Sequence, residues 1–370
     1  MKKVLIIGGG FAGLSAGHIL SMQGGWDITL IEAAPFLGGG CKTHFYGGHP
    51  YTLGPRHFLT PHEHLYEFLN KYVPMRKIPE HEFLTYIEKD PGFYNFPIHK
   101  DDIADMPDKE KIYSELECRK PAEKATNLEE YWKSSVGETL FEKFINGYTK
   151  KMWQIDSCTE FDQFKWSEKG VALKEGPKAA WNEAISAFPL AMNGYDDYFD
   201  VAARDLNVHL NTWIEDFDLE NSKVKVDGQW HQYDIIINSI SPEIVMKNAF
   251  GPLKWVGRDL FKIVLPVKEV FPENVYFLYY ANQEPFTRIV EYKKFYTADK
   301  DSPTTLICLE IPSDANKLYP MPMTKYQDQA QKYFDVMPKN VFNVGRAGTY
   351  RYIDVDDCIE QAMELGKNLK

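Results

Sequence analysis

The sequence predicts an α/β fold in which a parallel sheet is interrupted by a helical insertion and accompanied by an antiparallel sheet. The N-terminal stretch KKVLIIGGGFAGLSAGHILSMQGGWDITLIE has the pattern of a strand, a glycine turn, a helix and a second strand, and such a βαβ unit requires parallel pairing. Residues 61–152 are polar, with apolar residues at helical spacing. Several strand-like runs then dominate the C-terminal half.

Each element of this prediction has a local signal. Residues 4–7 form the first strand, and DITLIE predicts a second strand that ends at Glu32. The helix between them has a packing face made of Leu14, Ala16, Ile19 and Leu20. The stretch KVKVDGQWHQYDIIINSIS indicates a hairpin that turns at Asp227-Gly228 and leads into a buried strand. The runs LFKIVLPV, NVYFLYYA, FTRIVEYKKF and TTLICLEIP predict one antiparallel sheet, and NVFNVG returns the chain to the parallel sheet.

Composition limits the kind of protein. At 370 residues and 42.8 kDa, roughly two or three domains are expected, and a mean hydropathy of −0.41 is typical of a globular protein. The net charge of −11 argues against nucleic acid as a partner. The 5 cysteines form no CxxC pair, so we expect reduced thiols in a cytoplasmic protein. No signal peptide, membrane insertion or metal site is expected, and His62 and His64 are interpreted as part of a solvated turn.

The first glycine turn has the pattern of a dinucleotide-binding site. Gly8 permits a tight turn, Gly10 lets a pyrophosphate approach the backbone, and Gly13 lets the helix pack closely on the strand. Glu32 ends the second strand, where its carboxylate can accept hydrogen bonds from the hydroxyls of an adenosine ribose. This fingerprint does not separate FAD from NAD.

Two further stretches favour FAD. In EAAPFLGGGCKTHF, glycines 38–40 follow the second strand at the spacing seen in flavoproteins of the glutathione-reductase type. Gly345-Arg346 ends a strand, and a short loop and an acidic helix start follow. In those flavoproteins the start of a C-terminal helix points at the flavin N1–C2=O edge, where its unpaired N–H groups favour negative charge. Asp354 or Asp356 can also serve as an N-cap there.

These patterns predict a glutathione-reductase-type FAD-binding Rossmann domain with a helical insertion and an antiparallel-sheet substrate domain. The FAD-binding domain is expected to be discontinuous. The expected bounds are 1–60, 200–250 and 335–370 for the FAD-binding domain, 61–152 for a mainly helical domain, and 153–199 with 251–334 for the substrate domain.

Five motifs in chain order resemble those of the UDP-galactopyranose mutases. The stretch GRAGTYRYIDVD is similar to the closing motif of that family, which has Gly-Arg, then Tyr, a basic residue, Tyr and an acidic residue one place further. Here these are Arg346, Tyr350, Arg351, Tyr352 and Asp354. The other motifs are YTKKMW with Tyr148 and Trp153, GPLKWVGRDLFKIV with Arg258, FTRIVEYKKF with Arg288, and KLYP with Tyr319.

Mutases of this family interconvert the pyranose and furanose rings of a nucleoside diphosphate hexose. The resemblance implies an isomerase in which N5 of reduced FAD attacks the anomeric carbon and expels the nucleoside diphosphate, which returns after the ring recloses, with no net use of electrons. It further implies a UDP or dTDP hexose as substrate, a cytoplasmic homodimer, and a product used in polysaccharide biosynthesis.

The resemblance also assigns site residues. Arg288 and Arg346 would hold the diphosphate, because a planar guanidinium binds two oxygens at once, and Trp153 would lie against the sugar and keep water out. With Arg56 they form the expected catalytic set. The residues expected to bind substrate are Tyr148, Trp153, Tyr195, Arg288, Tyr319, Arg346, Tyr352 and Asp354. The residues expected to bind the cofactor are Gly8, Gly10, Phe11, Ala12, Gly13, Glu32, Gly39, Gly40, Gly345, Arg346, Tyr352 and Ile353.

The sequence departs from the family at three places. The family loop beneath the flavin commonly has Gly-Ala-His-Ile-Phe-His-Thr where this chain has GPRHFLT, so Arg56 replaces the first histidine and Leu59 the second. We interpret Arg56 as a donor that reaches a substituent absent from galactose. The stretch KWSEKGVALKEGPKAAWNEA replaces the family stretch that holds another diphosphate-binding arginine, and Lys165 is the nearest candidate for that role. Leu278 replaces a family asparagine. The sequence therefore assigns neither the sugar nor the nucleotide base of the substrate.

Two alternatives also stay open. A flavin oxidoreductase on the same fold, similar to the amine oxidases, predicts net oxidation of its substrate and has no evident use for two diphosphate-binding arginines. A non-catalytic binder that retains the nucleotide-sugar cleft predicts affinity for the ligand without ring isomerisation. Fold alone does not decide among them.

Overall fold

The computed structural model describes residues 1–163, 173–181, 183–296, 298 and 300–369. In these ranges the strands are β1 (Lys2–Ile7), β2 (Trp26–Ile31), β3 (His44–Tyr46), β4 (His49–Tyr51), β5 (Phe58–Thr60), β6 (Met75–Lys77), β7 (Leu84–Ile87), β8 (Gly92–Asn95), β9 (Ile185–Pro189), β10 (Asn207–His209), β11 (Asp216–Asp218), β12 (Lys223–Val226), β13 (Gln229–Gln232), β14 (Ile235–Asn238), β15 (Trp255–Leu265), β16 (Phe277–Tyr280), β17 (Arg288–Glu291), β18 (Thr305–Ser313), β19 (Tyr319–Pro320) and β20 (Val341–Asn343). The helices are α1 (Phe11–Gln23), α2 (Glu63–Asn70), α3 (Lys109–Glu117), α4 (Leu128–Val136), α5 (Glu138–Phe141), α6 (Gly147–Trp153), α7 (Asp196–Ala203), α8 (Pro242–Val245), α9 (Thr324–Asp335), α10 (Gly345–Thr349) and α11 (Val355–Asn368). None of the helices within the described ranges has both the length and the apolarity needed to cross a bilayer.

A parallel sheet with strand order β10-β2-β1-β14-β20 forms the first layer. Strand β1 pairs in parallel with β2 and β14, and β14 pairs in parallel with β20. Val4, Leu5 and Ile6 are fully buried, as is usual for a parallel strand that is covered on both faces. The strands come from three distant parts of the chain, and the predicted Rossmann-type α/β fold is confirmed.

Helix α1 has almost no solvent-facing side in its first ten residues. The predicted packing face is buried, but Ser15, Gly17 and His18 are buried as well. The helix contacts α7 and α11 in addition to the sheet. Small residues on its other faces allow this close approach: a Cβ on Gly17 would lie 2.7 Å from a methyl group of Leu206.

The second sheet is more mixed than expected. Its strand order is β19-β15-β18-β17-β16-β7-β8, and the pairings among β15, β16, β17 and β18 are antiparallel, as predicted. Strand β7, however, pairs in parallel with β16, and β7 and β8 come from the segment predicted as mainly helical. The four predicted strands are therefore antiparallel, and β7 and β8 extend the sheet at one edge. The sequence did not predict this extension, because a short strand carries no signal for a partner so distant in the chain.

The predicted hairpin before β14 is confirmed. Strands β12 and β13 pair antiparallel, and the turn residues Asp227 and Gly228 have φ of 48° and 76°. Two positive φ values in a two-residue loop are typical of the turn that matches the twist of paired strands.

Helix α6 brings Tyr148 and Trp153 toward the second sheet. It follows a π-helical turn at Glu142–Asn146, and such turns are frequent at functional sites. The Lys151 ammonium group donates to carbonyl oxygens of the loop after β16, including that of Glu284 at 2.7 Å. These bonds fix the helix that carries both aromatic side chains.

Two glycines of the first turn differ in what a side chain would meet. A Cβ on Gly13 would lie 2.2 Å from the carbonyl oxygen of Gly8, whereas a Cβ on Gly10 would meet no atom within 4 Å. We expect Gly13→Ala to lower the free energy of unfolding by about 1–3 kcal/mol, the usual cost of overpacking. Gly10→Ala should change it by less than about 0.5 kcal/mol, since Gly10 has φ −74°. Urea denaturation of ligand-free protein measures both variants, and equal values would show that Gly13 is not held against the turn.

Candidate active site

A large cavity lies between the glycine turn, helix α6 and the second sheet. Its volume is about 1540 Å³, which exceeds the roughly 300–1,000 Å³ typical of a pocket for one small ligand. The predicted cofactor residues that line it are Gly8, Gly10, Phe11, Ala12, Glu32, Gly39, Gly40, Gly345, Arg346, Tyr352 and Ile353. The predicted substrate and catalytic residues that line it are Arg56, Tyr148, Trp153, Arg288, Tyr319 and Asp354, with Arg346 and Tyr352. The cavity therefore has room for two ligands at once.

Two glycine segments form one end, which we call the cofactor end. The N–H of Gly38 donates to the carbonyl oxygen of Gly9 at 2.8 Å, so residues 38–40 lie beside the first turn. A Cβ on Gly39 would lie 3.2 Å from the Cα of Gly10, and the space beside Gly10 itself is open. Backbone without side chains is what a dinucleotide diphosphate needs in order to approach N–H groups.

The Glu32 carboxylate is fixed at the cofactor end. Its Oε2 accepts a hydrogen bond from the N–H of Gly9 at 2.6 Å, and its Oε1 accepts one from the N–H of Ala34 at 2.7 Å. Each oxygen keeps a further lone pair, so ribose hydroxyls can donate to this group. The residues present at this end therefore fit an adenine dinucleotide such as FAD.

The segment between β20 and α11 was predicted as a short loop but contains helix α10. That helix is five residues long and ends at Thr349, and Tyr350, the residue that follows, has a left-handed conformation with φ 49°. Asp354, not Asp356, is the N-cap of α11, and it forms a capping box with Asp357. The Tyr350 side chain is fully buried, so of the two tyrosines in the closing motif it is Tyr352 that lines the cavity.

Arg346 is held at three points within this segment. Its Nε donates to the carbonyl oxygen of Ile353 at 2.8 Å, one Nη donates to that of Leu318 at 3.1 Å, and the other donates to the Asp354 carboxylate at 2.9 Å. Its guanidinium carbon lies 4.6 Å from the centre of the Tyr352 ring. Arg346 is therefore a fixed cation, and the Asp354 carboxylate, predicted to bind substrate, is engaged in this ion pair.

Aromatic side chains cover the opposite end, which we call the substrate end. The rings of Tyr319 and Tyr352 stack with their centres 5.6 Å apart, and Trp153 lies 6.5 Å from Tyr319. Tyr148 lies 5.2 Å from Tyr279. Burial raises the pKa of the Tyr148 phenol well above its ordinary value, and Tyr279 adds to the rise. This phenol is therefore a hydrogen-bond donor at neutral pH.

Arg288 reaches the substrate end from β17. The register of the sheet places it opposite Glu310 of β18, and its Nε donates to Glu310 Oε2 at 3.0 Å while an Nη donates to the same oxygen. The other Nη donates to the Tyr279 hydroxyl at 3.2 Å. Glu310 is fully buried. Sequence reasoning missed Glu310 and Tyr279, because only the strand register brings them to Arg288.

Arg56 and Tyr195 are joined by a hydrogen bond, but only Arg56 lines the cavity. Arg56 lines the cavity, and its Nε donates to the carbonyl oxygen of Gly40 at 3.2 Å. The Tyr195 hydroxyl donates to the backbone carbonyl of Arg56 at 2.8 Å. Tyr195 is buried and does not line the cavity, so in this structure it supports the Arg56 loop, and its contact with substrate stays a prediction. Gly13 also lies outside the lining, in the packing position predicted for it.

The remaining residues singled out by the sequence lie apart. Leu278 packs with Phe271 and Val275 on the far side of its strand. Its neighbour Tyr279 lines the cavity, as the alternation of a strand requires. The His62 and His64 side chains are exposed. Lys165 lies outside the described residues.

Comparison with known proteins agrees with this geometry. Residues 143–352 match the family model described as UDP-galactopyranose mutase, and residues 6–72 match that of an NAD(P)-binding Rossmann-like domain. The chain is 24% identical to a dTDP-fucopyranose mutase of Escherichia coli, across 99% of this chain and 98% of that protein. It is 23% identical to a probable UDP-galactopyranose mutase of Klebsiella pneumoniae, across 98% and 93% of the two.

Among solved structures, the fold matches a crystal structure of reduced UDP-galactopyranose mutase with a TM-score of 0.86 at 16% identity, across 100% of this chain and 95% of that one. At this identity the match shows the fold alone. The family match, by contrast, spans more than half of the sequence. The chain therefore belongs to the UDP-galactopyranose mutase family.

Proposed function

We propose that this chain interconverts the pyranose and furanose forms of a nucleoside diphosphate hexose, as an isomerase that uses no electrons overall. The observation that carries the proposal is that one cavity joins an end fitted to a dinucleotide with an end lined by guanidiniums and phenols. The first end suits FAD and the second suits a diphosphate, so a sugar bound between them meets both.

FAD is the cofactor of this family, and the glycine turn, Glu32 and the backbone at Gly345 would hold it. When bound and reduced, FAD supplies a nucleophilic nitrogen, N5, for the anomeric carbon of the sugar. The chain contributes the rest: it orients the sugar, holds the departing diphosphate and keeps water away from both.

Arg288 and Arg346 would hold the diphosphate. Each guanidinium is already oriented by a carboxylate, Glu310 or Asp354, so little side-chain entropy is lost when phosphate oxygens bind. The phenols of Tyr148, Tyr319 and Tyr352 would donate hydrogen bonds to the same oxygens. Because the nucleoside diphosphate must return to the same sugar, tight retention of it serves the reaction.

Trp153 would exclude water from the sugar. Its side chain lines the cavity although it is only 6% exposed. It packs 5.5 Å from the ring of Phe161 and 6.4 Å from that of Tyr352. An indole held in this way covers the sugar with an apolar surface, which disfavours attack by water on the anomeric carbon.

Two other functions fit the site less well. An oxidoreductase similar to the amine oxidases would reduce an electron acceptor with each turnover, and it would leave the fixed guanidiniums without a ligand. A binder without catalysis would use the same cleft, and Arg56 in place of a histidine is the feature that favours it. The guanidiniums and phenols share their cavity with the cofactor end, which supports catalysis on a sugar diphosphate.

The sugar and the base are narrower questions. The relatives are named a dTDP-fucopyranose mutase and a probable UDP-galactopyranose mutase, so both bases and both sugars belong in a substrate panel. A cytoplasmic location, a homodimer and use of the furanose in polysaccharide biosynthesis are parts of the proposal that rest on the family resemblance. The division into an FAD-binding domain (1–60, 200–250 and 335–370), a mainly helical domain (61–152) and a substrate domain (153–199 and 251–334) likewise stays a prediction.

Turnover of the FAD-loaded protein tests the proposed function. We expect the dithionite-reduced protein to convert a UDP- or dTDP-hexopyranose into its furanose, resolved by HPLC, and the oxidised protein to do so far more slowly. Arg288→Lys should lower kcat/KM by about 100-fold because the forked contacts to phosphate are lost. The exposed Arg204 provides a control, since Arg204→Lys should leave kcat/KM unchanged. Oxygen consumption in step with substrate loss would instead assign the chain to the oxidoreductases.

Arg56 is proposed to select the sugar. It lines the cavity beside Gly40, at the place of a family histidine. We expect Arg56→His to shift the ratio of kcat/KM values by about tenfold toward galactose and away from hexoses with an extra hydrogen-bonding substituent, the effect of one charged hydrogen bond. Arg204→Lys, at an exposed position outside the cavity lining, is the control and should keep the original preference. An unchanged order of sugars in Arg56→His would rule out this role.

A further inference from the structure

Four arginines near the substrate end differ in how their charges are balanced. Arg288 pairs with Glu310, and Arg346 pairs with Asp354. Within the described part of the chain, neither Arg56 nor Arg258 has a carboxylate within 4.0 Å. The carboxylates offset the charges of the two paired cations. The unpaired positive charge near the cavity is therefore carried by Arg56, Arg258 and the exposed Arg351, which also lines the cavity. Of these three, Arg258 is the buried one.

Arg258 lies one layer behind the cavity, on β15. It is 3% exposed, and its guanidinium carbon lies 4.6 Å from the centre of the Tyr319 ring. One Nη donates to the carbonyl oxygen of Gly257 at 2.7 Å, and the other contacts the sulfur of Met152. Its Nε is buried and has no hydrogen-bond partner among the described residues. This guanidinium is therefore removed from water without full compensation.

Such a group is costly to fold unless something supplies a counter-charge. The positive charge of Arg258 affects the pKa of Tyr319, which lines the cavity. Burial is the largest single influence and acts to raise the pKa of the Tyr319 phenol. The charges of Arg258, Arg56 and Arg288 together outweigh burial, and they lower that pKa below its ordinary value. A more acidic phenol donates a stronger hydrogen bond to an anion in the cavity.

We propose that Arg258 is a positioning residue for the substrate diphosphate, acting through Tyr319. Its charge supplies the attraction that the paired Arg288 and Arg346 cannot supply in full. The proposal rests on the proposed function, because it takes the diphosphate to be the anion. Negative charge on the diphosphate grows as its bond to the sugar breaks, so the same field stabilises the departed leaving group. The charge of Arg258 would also help to hold the diphosphate in a chain that has no clear replacement for the other diphosphate-binding arginine of the family.

Binding of nucleotides to the FAD-loaded protein separates charge from packing. Arg258→Lys keeps the charge, whereas Arg258→Gln and Arg258→Met keep much of the side-chain volume without it. We expect affinity for UDP, measured by calorimetry, to fall in the order Arg, Lys, then Gln and Met. The neutral variants should bind UDP at least about tenfold more weakly than the unaltered protein. Uridine, which has no phosphate, should bind each variant with the same Kd within about twofold. dTDP and thymidine provide the second nucleotide pair.

Arg76 provides the matched control. It is partly buried, its guanidinium carbon lies 5.9 Å from the Tyr276 ring centre, and it does not line the cavity. Arg76→Gln should therefore change neither the affinity for UDP nor the affinity for uridine.

Each contrary outcome has a separate meaning. Equal UDP affinities for the Lys and Gln variants of Arg258, or equal losses of UDP and uridine binding, would overturn the proposal and leave the proposed function standing. Loss of bound FAD from both neutral variants would also overturn it, because Arg258 would then be required for folding. An unaltered protein that binds neither UDP nor dTDP would refute the proposed function itself.

Discussion

A buried positive charge is costly unless a negative charge lies close to it. The substrate end of the cavity depends on which of its arginines have a carboxylate partner and which do not. The register of β17 and β18 places Arg288 opposite the buried Glu310, and the start of α11 places Asp354 beside Arg346. These pairs orient two guanidiniums before any ligand binds. Arg258, which has no carboxylate partner in the described ranges, leaves a surplus of positive charge for an anion to balance.

The cofactor end meets a different constraint, since backbone must approach a diphosphate with no side chain between them. The hydrogen bond from Gly38 to Gly9 joins two glycine segments there, and the Glu32 carboxylate is fixed beside them. Both ends open into one volume. Ring interconversion needs this arrangement, because the leaving group has to stay next to the sugar while the sugar is bound to the cofactor.

Local signals in the sequence were enough to predict the βαβ unit, the glycine turn and the hairpin at Asp227, since each depends on residues close together in the chain. Pairings across long distances were not predictable: β7 joins β16, and Glu310 faces Arg288, only because of sheet register. Tyr195 shows a further limit. A motif placed it near the nucleotide, but its side chain is buried and bonds to the backbone of Arg56. The missing partner of Arg258 is likewise a property of its surroundings, not of its motif.

The mass of the flavin after reductive trapping tests most directly whether cofactor and sugar diphosphate share this cavity during the reaction. FAD-loaded protein is reduced with dithionite, incubated with UDP- and dTDP-hexopyranoses in the presence of cyanoborohydride, and denatured to release the flavin. We predict a flavin heavier by one sugar for at least one substrate. Unmodified flavin throughout the panel, from protein that still binds the nucleotide sugars, would contradict the proposed mutase activity. It would favour a flavin oxidoreductase or a binder without catalysis.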